Sequence, residues 1–236
     1  MAKAKFGTVT KTIKFNDDCQ LVQLEIDPED FNYAGGKYII INSQVPLDNG
    51  KWAKRAYSII AKEDKEVTLA ALQLGDGPGS CFMNQLKSED SVEFSGPWGK
   101  LMTKEDAQRH FILATDTGIS AALGLVNGDD LKEQLDKTAF CWLRPSDNIY
   151  LSDSFVRESL PEGLSRADIM DLAPINSDER MDALTGIALP NPEGNDHFYL
   201  VGDGHVTMKL REDLINKGYK SEQISSELFF NKPVKS

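Results

Sequence analysis

The sequence predicts two domains, an antiparallel β-barrel or sandwich at the N terminus and a parallel α/β sheet at the C terminus. Three observations carry this. The chain has 236 residues, enough for one large domain or two small ones. Its first hundred residues fall into short runs that alternate apolar and polar positions between turn residues, the period of half-buried strands. Beyond Lys104 the apolar runs become continuous and alternate with helical segments, the pattern of strands buried on both faces of a parallel sheet.

In order, FGTVTKTIKF, QLVQLEI, KYIII, AYSII, EVTLAAL and SVEF read as six strands, and Ser80 reads as the N-cap of a helix over CFMNQLK. In the second half HFILA, TAFCWL and HFYLVG read as buried strands. ISAALGLV reads as an apolar helix, SDSFVRESL and LSRADIMDL as amphipathic helices, and VTMKLREDLINKG as a helix closed by Gly218. Residues 173–196, rich in Pro, Asp and Asn, read as a helix between long loops. The division is expected within 103–109, giving units over 1–104 and 105–236.

The charge balance excludes several function classes. Lys and Arg number 26 against 37 Asp and Glu, a net charge of −11, so nucleic-acid binding is not expected, because phosphate attraction needs a positive field. The stretch Thr117–Gly128, free of charged residues and histidine, is too short to span a bilayer. The N terminus lacks the apolar core of a secretion signal. Cys19, Cys81 and Cys141 are far apart, with no CxxC. No metal site is expected, and a cytoplasmic location fits this sparse cysteine use.

Three segments carry candidate chemistry. Arg55-Ala56-Tyr57-Ser58 puts a guanidinium, a flat ring and a hydroxyl on one strand, a set able to hold a phosphate, stack on a ring and bond its edge. Gly77-Pro78-Gly79-Ser80 opens a helix, where bare backbone N–H groups attract phosphate. Gly96-Pro97-Trp98-Gly99-Lys100 ends the last strand of the first half. Each alone is equally an ordinary strand or turn.

Their order along the chain resembles the FAD domain of the ferredoxin–NADP reductase family, and the resemblance extends over almost the whole sequence. FNYAGGKYI is similar to that family's strand entering the flavin site. ILATDTGISAALG sits where the family has its nucleotide loop, Leu143-Arg144 with NIYL resembles its R-x-x-x-D-hydrophobic-Tyr segment, and VGDGHVTM and ISSELFF resemble its last two segments. The resemblance implies a barrel that binds FAD and an α/β domain that binds NADH or NADPH. It implies that Arg55 pairs with the FAD pyrophosphate, Tyr57 packs on the isoalloxazine, Ser58 lies near the reactive nitrogen N5, and Gly77, Gly79 and Ser80 donate to the pyrophosphate. Trp98 would shape the adenine end. Thr115, Asp116, Thr117, Gly118, Arg144, Ser177, Arg180, Gly202 and Asp203 would lie at the nucleotide. Glu227 would be the terminal acidic residue near the flavin, catalytic with Tyr57 and Ser58, and Phe229 or Phe230 would cover the flavin face. The implied activity is that of a ferredoxin/flavodoxin–NAD(P)H reductase, passing hydride to FAD and then electrons to a ferredoxin, a flavodoxin or an oxygenase component.

Four departures fall in the nucleotide half. Asp116 replaces a loop glycine and would repel an anion unless it points away. Ala121 replaces a proline, and Val201 a cysteine. Ser177-Asp178 replaces a Ser-Arg pair that reads a 2′-phosphate; Asp178 suits a ribose diol, and Arg180 would partly compensate. Two readings follow: a reductase with a modified loop, or a flavin-binding electron-transfer or regulatory subunit that has lost efficient nucleotide binding. His110 and His197, each at the start of a buried run, read as structural, and His205 follows the GDG loop without an assigned role.

Overall fold

The computed structural model describes residues 5–27, 31–73, 75–174, 177–184 and 187–229. Six strands, β1 (Lys5–Lys14), β2 (Cys19–Glu25), β3 (Tyr38–Pro46), β4 (Trp52–Glu63), β5 (Glu66–Leu72) and β6 (Ser91–Trp98), close an antiparallel barrel in the order β1-β2-β5-β4-β3-β6. The six alternating runs of the sequence are these strands. Closure selects the barrel over the sandwich: β1 pairs with β6 from Lys5↔Phe94 to Thr8↔Ser91, which leaves no free edge there. Val9, Leu24, Ile39, Ile59, Leu69 and Val92 point inward to form the barrel core.

The second unit is a five-stranded parallel sheet in the order β11-β10-β7-β8-β9, from β7 (Arg109–Thr115), β8 (Thr138–Pro145), β9 (Arg166–Leu172), β10 (Asp196–Asp203) and β11 (Ile224–Phe229). Helices α2 (Ile119–Val126), α3 (Asp153–Ser159), α4 (Glu179–Ala183) and α5 (Gly204–Asn216) belong to it, while α1 (Pro78–Gln85) belongs to the barrel. Gly218, at φ +107, follows the end of α5 as expected. No helix among the described residues is long and apolar enough to cross a membrane.

Two expectations need correction. Ser80 is not the cap of α1 but its third residue; Gly77 is the N-cap, and the Ser80 hydroxyl donates back to the Gly77 carbonyl at 3.0 Å. Pro78, with its φ preset and no N–H to lose, lets the helix begin three residues early. Arg166–Leu172, read as part of an amphipathic helix, is strand β9. It lies at the sheet edge, paired only with β8 and largely exposed, so the continuous apolar run that marks a buried strand is missing.

The two units share a core. Leu21, Ile60 and Ala70 of the barrel pack with Ile119, Ala122 and Trp142 of the α/β unit. Helix α2 lies against β4 so closely that a Cβ on Gly124 would stand 2.0 Å from the Ile59 carbonyl oxygen. Tyr33 Oη donates to the Gly124 carbonyl at 3.2 Å, Asn16 Nδ2 to the Ile149 carbonyl at 2.9 Å, and Tyr150 Oη to the Ala70 carbonyl at 3.1 Å.

Candidate active site

A cleft of about 1200 Å³ opens between the two units. The barrel contributes Arg55, Tyr57 and Ser58 from β4, Gly77 and Ser80 from the start of α1, and the segment Trp98–Leu101 after β6. The α/β unit contributes Thr117 and Ser120 at the start of α2, Tyr150, and Ser226–Phe229 of β11.

Local pairing explains why one strand supplies so much. Arg55–Ser58 pair with β3, from Ile41↔Arg55 to Tyr38↔Ser58, but the register of β4 with β5 begins only at Ile59. The other backbone edge of this segment is therefore open, and strictly alternating faces do not describe it: Arg55, Ala56, Tyr57 and Ser58 all border the cleft. Tyr57 is buried against the barrel core, its hydroxyl donating to the Gly79 carbonyl at 3.4 Å. Burial pushes its phenol well above the usual range, so it stays neutral.

Gly79 does not line the cleft. A Cβ there would come within 2.7 Å of Arg55 Cγ, so the bare backbone lets α1 sit beside the arginine stem. Arg55 itself is exposed, with Nη1 donating to the Lys54 carbonyl at 2.8 Å. Among the described residues no side chain caps α1. Its first-turn N–H groups and the Arg55 guanidinium thus form one positive locus at the cleft wall, chemically suited to a pyrophosphate. Tyr57 and the open β4 edge suit a flat ring with hydrogen-bonding edges. These residues fit FAD. At Gly36, φ is +71 and a Cβ would stand 2.6 Å from the Leu101 carbonyl oxygen, so glycine is required where the cleft wall turns.

Glu227 faces the cleft from β11, and burial, opposed in part by Lys37, raises its carboxyl to about 7. Between the ordinary carboxylate value and about 7 the folded chain holds a proton that the unfolded chain releases. Stability should therefore fall as pH rises through this window, by on the order of 2 kcal/mol. Glu227→Gln should flatten the fall, which melting temperatures of both proteins from pH 5 to pH 8 will show.

The nucleotide-half candidates lie differently. Of them only Thr117 reaches the cleft. Thr115 is buried, its hydroxyl accepting from the Asp203 N–H at 2.8 Å. Gly118 and Gly202 are packing positions, their added Cβ atoms meeting the Val201 carbonyl oxygen at 2.3 Å and the Thr115 carbonyl oxygen at 2.1 Å. The Asp203 carboxylate caps α5, accepting from the N–H groups of His205 and Val206 at 3.1 and 3.0 Å. Arg144 is paired with Asp153 at 2.7 Å and with Asp171. Asp116 is buried and paired with the equally buried Arg180, so it points away from open solvent. Ser177 sits just before α4, its hydroxyl accepting from the Glu179 N–H at 3.2 Å. Phe230 lies outside the described residues; Phe229 lines the cleft.

The sequence left Ser120 and Tyr150 without roles, although both face the cleft and their hydroxyls lie 2.6 Å apart. Tyr150 donates to Ala70 across the domain boundary, so Ser120 is the donor to Tyr150. His110 and His197 are core residues: His110 bonds Tyr199 Oη at 3.1 Å, and burial lowers His197 to about 4. Among the described residues no three His, Cys, Asp or Glu side chains gather as a metal site.

The family model described as the oxidoreductase FAD-binding domain matches residues 7–102. Reductase component 1 of terephthalate 1,2-dioxygenase from Comamonas sp is 27% identical over 215 residues, 86% of this chain and 61% of that protein. The chain thus spans about 61% of the curated relatives it matches. The flavohem-like FAD/NAD-binding domain of nitric oxide dioxygenase from Vibrio cholerae superposes with a TM-score of 0.74 at 17% identity, covering 95% of this chain and 98% of that one. A ferredoxin NADP+ reductase from Neisseria gonorrhoeae, solved with FAD and NADP, gives 0.73 at 15% identity, covering 98% and 100%. Residues 7–102 thus match the model of an oxidoreductase FAD-binding domain, in a chain that shares its two-domain fold with these solved flavoproteins.

Proposed function

We propose that the protein is a flavoprotein reductase that takes electrons from NAD(P)H through FAD and delivers them to an electron-carrier protein: a ferredoxin, a flavodoxin or an oxygenase component. The observation that supports this best is the convergence of Arg55, Tyr57, Ser58 and the uncapped start of α1 on one interdomain cleft. The names of the curated relatives, reductase components of a dioxygenase, support the direction of electron flow. The division is taken at 104/105, with FAD on the barrel and the nucleotide on the α/β unit, and the protein is placed in the cytoplasm, where its free cysteines suit reducing conditions.

In this reading Arg55 and the α1 backbone, including Gly77, Gly79 and Ser80, hold the cofactor pyrophosphate. Tyr57, fixed by its bond to Gly79, packs on the ring system. Ser58 presents its hydroxyl at the open β4 edge, beside the reacting face. Bound FAD would supply the redox chemistry, accepting a hydride and releasing electrons one at a time. Thr117, Ser120 and Tyr150 form the opposite wall and exclude water. Phe229 covers the cleft from β11. Glu227, raised to about 7, can hold a proton within the cleft and release it near neutral pH.

A second reading, a flavin-binding electron-transfer subunit without efficient nucleotide use, is favoured by one observation: Asp116 and Arg180 are buried against each other. An anaerobic absorbance titration with NADH and NADPH in parallel decides between them. The reductase bleaches its flavin bands with at least one nucleotide; a yellow protein that neither reduces is the second.

A further inference from the structure

The C-terminal edge of a parallel sheet, where neighbouring connections diverge, is where open α/β folds bind ligands. Here that point lies between β7 and β10: β8 and β9 extend the sheet on one side of β7, while β10 and β11 extend it on the other. The groups at this edge that would hold a ligand phosphate are already occupied by carboxylates of the chain itself. Asp203 caps α5, the longest helix of the unit. Asp153 and Asp171 hold Arg144. Asp116 holds Arg180, with the two side chains only 3% and 5% exposed.

The last pair is the most informative. Asp116 sits at φ +52, a conformation that glycine adopts freely and side chains seldom do. Its backbone is fixed there, its carbonyl accepting from Trp142 Nε1 at 3.0 Å. A carboxylate kept where glycine would be unstrained points to a task for the carboxylate. Its partner lies 64 residues away on α4. Arg180 Nη1 donates to the Ala173 carbonyl at 2.6 Å, while the buried Nε has no partner among the described residues. A guanidinium with a spare buried donor and one carboxylate on it is an anion receptor filled from within.

We propose that Asp116 is a specificity-determining residue: it occupies Arg180 as an internal anion and so makes the α/β unit discriminate against pyridine nucleotides that carry a 2′-phosphate. This rests on the reductase reading and adds the donor class, NADH over NADPH. A 2′-phosphate brings two further negative charges to an edge that offers Asp116 and Asp203 and no unpaired guanidinium from Arg144 or Arg180. Removing Asp116 frees Arg180 for that phosphate.

The test is calorimetric titration of the full FAD-loaded chain with ADP-ribose and with 2′-phospho-ADP-ribose, which require no hydride transfer. The wild-type protein should bind ADP-ribose at least about tenfold more tightly. Asp116→Gly, compatible with the local φ, should shift the ratio toward the 2′-phosphate by about tenfold or more. Asp116→Gly/Arg180→Met should lose that shift while removing the buried charge, so that folding is preserved in at least one arm. Flavin content and melting temperature report that folding. The proposal is overturned if the wild type binds the 2′-phosphate as well as ADP-ribose, if Asp116→Gly leaves the ratio unchanged or gains no binding where the wild type shows none, or if the double variant keeps the gain. Anaerobic bleaching of the same samples separates the two readings. Probe ratios as expected without reduction by NADH leave the anion-site assignment standing and sink the reductase; equal reduction by NADH and NADPH sinks the assignment alone.

Discussion

Arg55→Ala should release FAD from the purified protein, weakening its binding by roughly 10- to 100-fold, the loss of one or two charge-assisted hydrogen bonds. The arginine is placed for this by three independent features. Its strand segment has an open edge on the cleft side. Gly79 gives its stem room, since a Cβ would stand 2.7 Å from Cγ. Its head is exposed and donates to the Lys54 backbone carbonyl. An exposed side chain contributes little to folding, so the melting temperature of the apoprotein should hardly move. Flavin content after gel filtration and a fluorescence titration with FAD measure the effect. Arg55→Lys should recover only part of it, because an ammonium keeps the charge and loses the planar fork. Retention of flavin by Arg55→Ala would remove Arg55 from the proposed phosphate site.

What could be read from the sequence follows from how local the signal is. The barrel strands announce themselves because a period of two survives wherever one face is buried. RAYS and GPGS could be read as chemistry because each is contiguous, and the fold brings both to one cleft. The edge strand β9 gave no such signal: half of its partners are missing, so its composition carries too little apolar content to distinguish it from a helix. Ser120 and Tyr150 were unreadable for a different reason. Their meaning lies in a hydrogen-bond chain to Ala70, across 80 residues, that no local pattern encodes. Asp116 is the instructive case. Its sequence position suggested a carboxylate that would repel a ligand anion unless it pointed away. The neutralising partner lies on a helix 64 residues on, and only the tertiary structure shows that the charge is already spent.

Gly124→Ala should be the most damaging single-methyl change in the chain's domain interface. Helix propensity alone predicts the opposite, since alanine is favoured over glycine inside a helix by about 1 kcal/mol. The contact decides: the new Cβ would lie 2.0 Å from the Ile59 carbonyl oxygen, a backbone atom of a paired strand that cannot swing aside. Relief requires α2 to move off β4, which opens the shared core around Ile60 and Ala122 and lengthens the Tyr33–Gly124 bond. The expected net loss is roughly 2–4 kcal/mol, a fall in melting temperature of about 5–15 °C for a chain this size. Gly50→Ala is the contrast: φ there is +74, but nothing stands within 4 Å of an added Cβ, so only the backbone term of about 1 kcal/mol applies. Because Ile59 follows Ser58 directly, the displaced helix also disturbs the cleft wall. Gly124→Ala should therefore lose flavin affinity together with stability, whereas Gly50→Ala should keep the affinity intact. If both variants melt alike, the two units are not held by this contact, and the cleft owes its shape to the hydrogen bonds of Tyr33, Asn16 and Tyr150 instead.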